Sequence, residues 1–231
     1  QVEGGVHIID LNQGKEIRYL KLHQGYIFDI IYIEEKEELV LSSGDGSISI
    51  WSVPDFNLLY HKKISDKKIR KMDYAKSRGE IACALGNGGV AILDTEDWHL
   101  KKEIQIGKSA INVVRYLGSG NEILVGEKDA HLYLYHIDEE EVLEDLAAHY
   151  WAIYDIQLYP EGNNTLFATA SRDKTIKIWD ANEMKVLKRF EGLKDQAHTH
   201  SVNALLWSNY NNYLLSAGDD YALKVWQISN P

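Results

Sequence analysis

The chain has 231 residues, of which 45% are hydrophobic and 26% charged, so it can bury a sizeable core. Its net charge of −10 argues against a general nucleic-acid or anionic-membrane binder, because phosphate recognition needs a basic face. No run approaches the ~18 apolar residues of a membrane span. Cys83 is the single cysteine, so no internal disulfide can form, and its Ile-Ala-Cys-Ala setting suits a small buried side chain in a reducing compartment.

In chain order, a strand is predicted at Val6 to Leu11 and another at Glu16 to Leu22. Acidic runs follow at Glu34–Glu38 and, much later, at Asp138–Glu141; both read as solvated loop tips. A seven-residue pattern then recurs: a turn residue, alternating side chains, and a large residue. It runs from Asp45 to Trp51, Asp173 to Trp179 and Asp220 to Trp226, with weaker copies from Glu3 to Ile9, Asn87 to Leu93 and Asp129 to Tyr135. The closing residues lie 42, 42, 42, 44 and 47 positions apart. A period this regular marks a repeat architecture. Within one period, Ile153–Leu158, Leu166–Ser171, Thr175–Trp179 and Lys185–Phe190 read as four strands, the last more polar and so outermost. Turn chemistry such as Pro160-Glu-Gly-Asn-Asn separates them. Pro54 and Pro160 fall at strand ends, where no ladder bond is lost.

The block Ser171-Arg-Asp-Lys-Thr-Ile-Lys-Ile-Trp-Asp180 resembles the end of a WD40 repeat, and His198 to Leu205 resembles the start of one. The resemblance is strong around Trp51, Trp179 and Trp226 and degenerate around Leu93 and Tyr135. The pattern also resembles stand-alone bacterial WD40 proteins. It implies an all-β WD40 β-propeller with four-stranded antiparallel blades, an incomplete portion of a seven-bladed ring. As one domain over 1–231, this gives a half blade at 1–22 and full blades at 23–64, 65–106, 107–147 and 148–191. A three-stranded blade at 192–231 follows. Two alternatives stand beside it: Glu16 to Leu22 completing the last blade of a five-bladed ring, or another chain donating that strand.

The resemblance further implies a hydrogen-bonded His, Ser or Thr, Asp and Trp set inside each blade. Carried over, the sets are His23, Ser43, Asp45 and Trp51; His149, Ser171, Asp173 and Trp179; and His198, Asp220 and Trp226, with Gly218 in place of the hydroxyl. In the degenerate repeats the equivalents are Ser65, Leu85 and Asn87, and Gly107, Glu127 and Asp129. A Ser-His-Asp triad has the same residue types, but a triad needs a free nucleophile and an oxyanion hole, and it does not repeat. The expectation is therefore a structural network, no catalytic residue, no metal and no cofactor. In this family, partners bind the face carrying the loops before the first strand and between the second and third. That places candidate partner-binding residues at Tyr26, Lys68, Lys128, Tyr150, Trp151, Arg172 and Asp219. The implied function is a cytoplasmic, non-catalytic scaffold for proteins or peptides, without nucleic-acid or membrane partners, and with self-association through open propeller edges. The alternative is a propeller enzyme or small-ligand binder using the central channel.

Overall fold

The computed structural model describes residues 4–160 and 166–228. Glu3, most of the turn after Pro160 and Pro231 lie outside the described residues. The chain divides into two compact units, 1–105 and 106–231.

The first unit holds β1 (Gly5–Asp10), β2 (Lys15–Lys21), β3 (Ile27–Ile33), β4 (Glu38–Ser43), β5 (Ser47–Ser52), β6 (Leu58–Lys63), β7 (Ile69–Ala75), β8 (Glu80–Leu85), β9 (Gly89–Asp94) and β10 (Leu100–Gln105). β1 and β2 form a two-stranded ladder; β3–β6 and β7–β10 are four-stranded antiparallel meanders. The second unit holds β11 (Ile111–Leu117), β12 (Glu122–Glu127), β13 (His131–His136), β14 (Glu141–Ala147), β15 (Ile153–Leu158), β16 (Leu166–Ser171), β17 (Ile176–Asp180), β18 (Lys185–Phe190), β19 (Val202–Trp207), β20 (Leu214–Gly218) and β21 (Leu223–Trp226). These make two four-stranded meanders and the three-stranded β19–β21.

Several strand ends differ from the sequence expectation by a residue or so, for identifiable reasons. The Asp10 carboxylate accepts the N–H groups of Asn12 and Gln13, which turns the chain before exposed Leu11 can continue β1. Thr175 and Ala222 give their N–H groups to Asp173 and Asp220, so β17 and β21 begin one residue later. β2 is laddered to β1.

Burial follows the alternation. β8, β9 and β12 are buried along almost their whole length, whereas the outer strands β6, β10, β14 and β18 are mostly exposed. In the first unit Ile33, Val40, Ile48 and Ile50 pack with Ile69, Met72, Ile81, Cys83, Leu85 and Leu93 across two neighbouring sheets. In the second, Ile153, Ile156, Phe167 and Trp179 pack with Val113, Leu124 and Leu132, and Ala168, Ile176 and Ile178 pack with Val202, Leu205, Trp207 and Trp226. Each Ile, Val, Leu, Met or Phe among them contributes about 1.5–3 kcal/mol by leaving water. Cys83 is fully buried, and burial pushes its thiol far above the ordinary value, so it is an inert core residue.

Neighbouring sheets are also stitched by polar bonds. A register shift in β15 precedes Asp155, a buried residue whose Oδ2 accepts Leu205 N–H on β19 at 2.8 Å. The matching shift in β3 precedes Asp29, whose Oδ2 accepts Met72 N–H on β7 at 2.8 Å. The extra residue re-aims the carboxylate toward the next sheet.

Candidate functional site: the hydrogen-bonded sets and the loop rim

The hydrogen-bonded sets are present, but the hydroxyl is not where the sequence placed it. Trp179 Nε1–H donates to Thr169 Oγ1 at 2.9 Å, and Thr169 Oγ1 lies 2.7 Å from His149 Nε2. His149 Nδ1 lies 2.9 Å from Asp173 Oδ2. With the Nδ1 proton given to the carboxylate, Nε2 accepts the threonine hydroxyl, whose oxygen takes the indole proton. Ser171 instead donates to Trp151 O at 3.0 Å and accepts Asp173 N–H. In the last sheet Ser216 supplies the hydroxyl, 2.8 Å from both Trp226 Nε1 and His198 Nε2, so the set is complete despite Gly218. His198 Nδ1 reaches Asp220 Oδ1 at 2.8 Å. Around Trp51 the hydroxyl comes from the tryptophan's own strand, β5: Ser49 Oγ accepts the indole at 2.8 Å and lies 2.7 Å from His23 Nε2. Ser43 only accepts Asp45 N–H.

The reason is register. Trp179 pairs with Phe167, so Thr169 sits two residues along the same face, within reach of the indole. Ser171 is two residues further, roughly 13 Å along the strand from the level of the tryptophan. In the Trp51 sheet the corresponding position is Leu41, and its cross-strand partner is Ser49, which restores the hydroxyl.

Burial depresses the basicity of His23 and His149, although Asp45 and Asp173 pull the other way. Burial also pushes Asp45 upward, but hydrogen bonds from Ser47 and the Gln24 N–H outweigh it and hold Asp45 at about 2. Asp220 is likewise held at about 2: burial opposes, while the Thr199 N–H and His198 prevail. The His149 and Thr175 bonds keep Asp173 well below the carboxylate range against its burial.

Hydroxyl, imidazole and carboxylate are arranged here as in a catalytic triad, but the hydroxyls cannot act as nucleophiles. Thr169, Ser49 and Ser216 are buried, and an indole N–H occupies the oxygen of each. The degenerate sheet around Tyr135 has a different solution. Gly107 stands where the histidine would be, and buried Glu127 fills that space; a Cβ on Gly107 would lie 2.5 Å from Glu127 Oε1. Glu127 accepts the Ser109 N–H and, at 3.0 Å, the Tyr133 hydroxyl. Around Leu93 the turn is held by Asn87, which accepts the Gly89 N–H. Among the described residues no group of three His, Cys, Asp or Glu side chains could hold a metal ion, and no helix is long and apolar enough to cross a membrane.

Each carboxylate also pins a loop at the sheet end. Asp45, Asp173 and Asp220 accept the N–H groups of Gln24, Tyr150 and Thr199 at 2.9, 3.0 and 2.9 Å. A second tie repeats in every sheet from β3 onward: Gly44 to Tyr26, Gly86 to Lys68, Lys128 to Ala110, Arg172 to Ala152 and Asp219 to Ser201, each N–H to O at 2.8–2.9 Å. The seven candidate partner-binding residues lie on or beside these ties, and all are exposed. Tyr26 and Lys68 belong to the first unit. In the second, Arg172 lies over the Trp151 ring at 5.4 Å, and Tyr150 is joined by Arg189 at 5.8 Å. Asp219 accepts Asn203 Nδ2–H. Lys128 is fixed through its backbone tie to Ala110. Sequence reasoning missed Arg189, which comes from an outer strand with no rim motif.

A phased repeat, the indole–hydroxyl–imidazole–carboxylate set and antiparallel meanders are thus combined in one chain. The family model "WD domain, G-beta repeat" matches residues 140–180 and 187–227. Over those residues the chain carries WD40 repeats. It is 37% identical over 87 residues to Protein HIRA of Dictyostelium discoideum, a match covering 34% of this WD40 chain and 8% of that protein. It is 34% identical over 98 residues to Nuclear distribution protein PAC1 of Arthroderma benhamiae, covering 40% of this chain and 20% of that protein. The WD40 chain therefore spans a small part of the curated relatives it matches. A chain in the crystal structure of the mitotic checkpoint complex superposes with a TM-score of 0.84 at 17% identity, over 98% of this chain and 69% of that one. That likeness places the sheets in the WD40 β-propeller fold class.

Proposed function

We propose that this WD40 chain is a non-catalytic scaffold that binds proteins or peptides through its loop rim. The observation that carries this reading is the repeated backbone tie. The same N–H to O bond recurs in five sheets, yet what it displays ranges from glycine at Gly44 and Gly86 to the differently charged side chains of Lys128, Arg172 and Asp219. A constant framework with variable exposed side chains is what a recognition surface requires. The histidines, hydroxyls and aspartates that could be read as chemistry are already consumed by the internal sets. Arg172 stacked on Trp151 supplies the residue types that anchor protein interfaces. The net charge of −10 disfavours nucleic-acid and anionic-membrane partners. The lone buried thiol suits the cytoplasm, which is the compartment we assign.

The test is affinity capture with the tagged chain against the Trp151→Ala, Arg172→Glu variant. We expect the variant to lose specific partners while melting at the same temperature. Undiminished capture would overturn the rim as the binding face.

A further inference from the structure

We propose that the rim of the first unit binds an acidic peptide segment, seating its carboxylates on Lys68 and Arg70 beside the Phe28 ring. This rests on the reading of the loop rim as the recognition face and names the partner chemistry there.

In a chain of net charge −10, positions 62–71 carry six cations and one acid. Lys63 is matched by Asp66 at 3.8 Å and Lys71 by Asp29 at 3.7 Å. Among the described residues no carboxylate lies within 4 Å of Lys67, Lys68 or Arg70. Two of these unpaired cations share one aromatic neighbour: the Arg70 guanidinium is 5.4 Å and the Lys68 ammonium 5.8 Å from the Phe28 ring centroid. The π-cloud of the ring attracts each cation. It does not neutralise them, so both charges stay open to an arriving anion. The guanidinium offers a fork that matches a carboxylate, and the ammonium adds a point charge.

The surface is also left open. The rim positions that carry Lys128, Arg172 and Asp219 elsewhere are Gly44 and Gly86 here. A Cβ on Gly44 would lie 3.0 Å from the Phe28 ring, and one on Gly86 3.1 Å from Lys67 Cβ. Glycine at both positions keeps side chains from covering the ring and the cations. Tyr26, 58% exposed, provides an aromatic flank for an apolar neighbour of the acidic residue. Three unpaired cations suit a peptide carboxylate or two better than the continuous charge of a nucleic acid, which needs an extended basic face.

The experiment uses fluorescence anisotropy on the full chain with a short labelled peptide alternating Glu and Leu. Its Gln-for-Glu counterpart, a Lys-for-Glu counterpart and a single-stranded oligonucleotide complete the probe set. We expect the Glu peptide to bind at least about tenfold tighter than the Gln peptide, with the preference fading as salt rises. Lys68→Ala and Arg70→Gln should each weaken it. The Lys68→Glu, Arg70→Glu variant should reverse the preference toward the Lys peptide, and Lys185→Glu on β18 should leave it unchanged. Equal binding of the Glu and Gln peptides, indifference to both single variants, or preferential binding of the oligonucleotide would overturn the proposal. Affinity capture separates the two readings. Capture lost with Trp151→Ala, Arg172→Glu, together with an absent Glu-peptide preference, leaves the rim standing and removes the acidic-peptide assignment.

Discussion

Thr169→Val tests the internal set most directly. Valine nearly matches threonine in shape, so packing in the fully buried site is preserved while the hydroxyl is lost. Two buried groups are stranded: the Trp179 indole N–H, which donates to Thr169 at 2.9 Å, and His149 Nε2, which faces it at 2.7 Å. An unsatisfied buried polar group costs about 1–3 kcal/mol. The pair should therefore cost about 2–4 kcal/mol, because the two losses share one atom and do not add in full. For a chain of this size that lowers Tm by roughly 5–12 °C. The comparison is Ser171→Ala, which removes one bond to Trp151 O and one from the Asp173 N–H at a turn, with an expected loss of about 1 kcal/mol. Thermal and denaturant melts of the two variants side by side decide the matter. Adding Trp179→Phe to Thr169→Val should cost less than the separate losses combined, since the donor is then gone with its acceptor. A Ser171→Ala loss equal to or larger than that of Thr169→Val would refute the register argument that places the hydroxyl at 169.

Gly107→Ala should destabilise the second unit by about 1–3 kcal/mol, because its Cβ would press on Glu127, which the Ser109 N–H and the Tyr133 hydroxyl hold in place. A melt indistinguishable from the unaltered chain would show that Glu127 can move aside. Acid should destabilise the fold in two stages. His23 and His149 have folded-state affinities for protons below the ordinary 6.5, so the unfolded chain binds protons first and stability falls as pH drops below 6.5 toward their folded values. Asp45 and Asp220, held at about 2 against an ordinary 3.8, add a second loss as pH falls from 3.8 to about 2. Urea titrations across pH that show stability flat from neutrality to 4 would contradict the first stage.

The period was legible because Trp51, Trp179 and Trp226 recur with a turn aspartate six residues earlier, and the polar character of Lys185–Phe190 marked it as the outermost strand, which is mostly exposed. The histidines and aspartates could be assigned by motif because each occupies a unique position at a sheet end. The hydroxyl could not. Thr169 and Ser171 share a face, and a period of two cannot choose between them; only the pairing of Trp179 with Phe167 does. Ser49 was further from view, since it replaces Leu41 across a strand pair. Asp29 and Asp155 depend on bulges that alternation does not announce. Phe28 and Arg70 come together from two different sheets of the first unit, each unremarkable in its own stretch of sequence.

These differences bear on function because of what the internal sets leave over. Once Thr169, Ser49 and Ser216 accept the indoles, Asp173 and Asp220 hold both a histidine and a loop N–H, and Asp45 holds a loop N–H and the Ser47 hydroxyl that meets His23, the reactive-looking residues of those three sheets are engaged in structure. The same carboxylates fix the backbone of the rim loops, which lowers the ordering cost a partner must overcome on binding. Variation is then free only in side chains that the network does not use. In the second unit these include Trp151 with Arg172 and Tyr150 with Arg189; in the first, Tyr26, Lys68 and Arg70. The same backbone tie presents aromatic and cationic side chains in both units, and on the scaffold reading proposed above the choice of partner rests with those side chains rather than with the residues that resemble a catalytic triad.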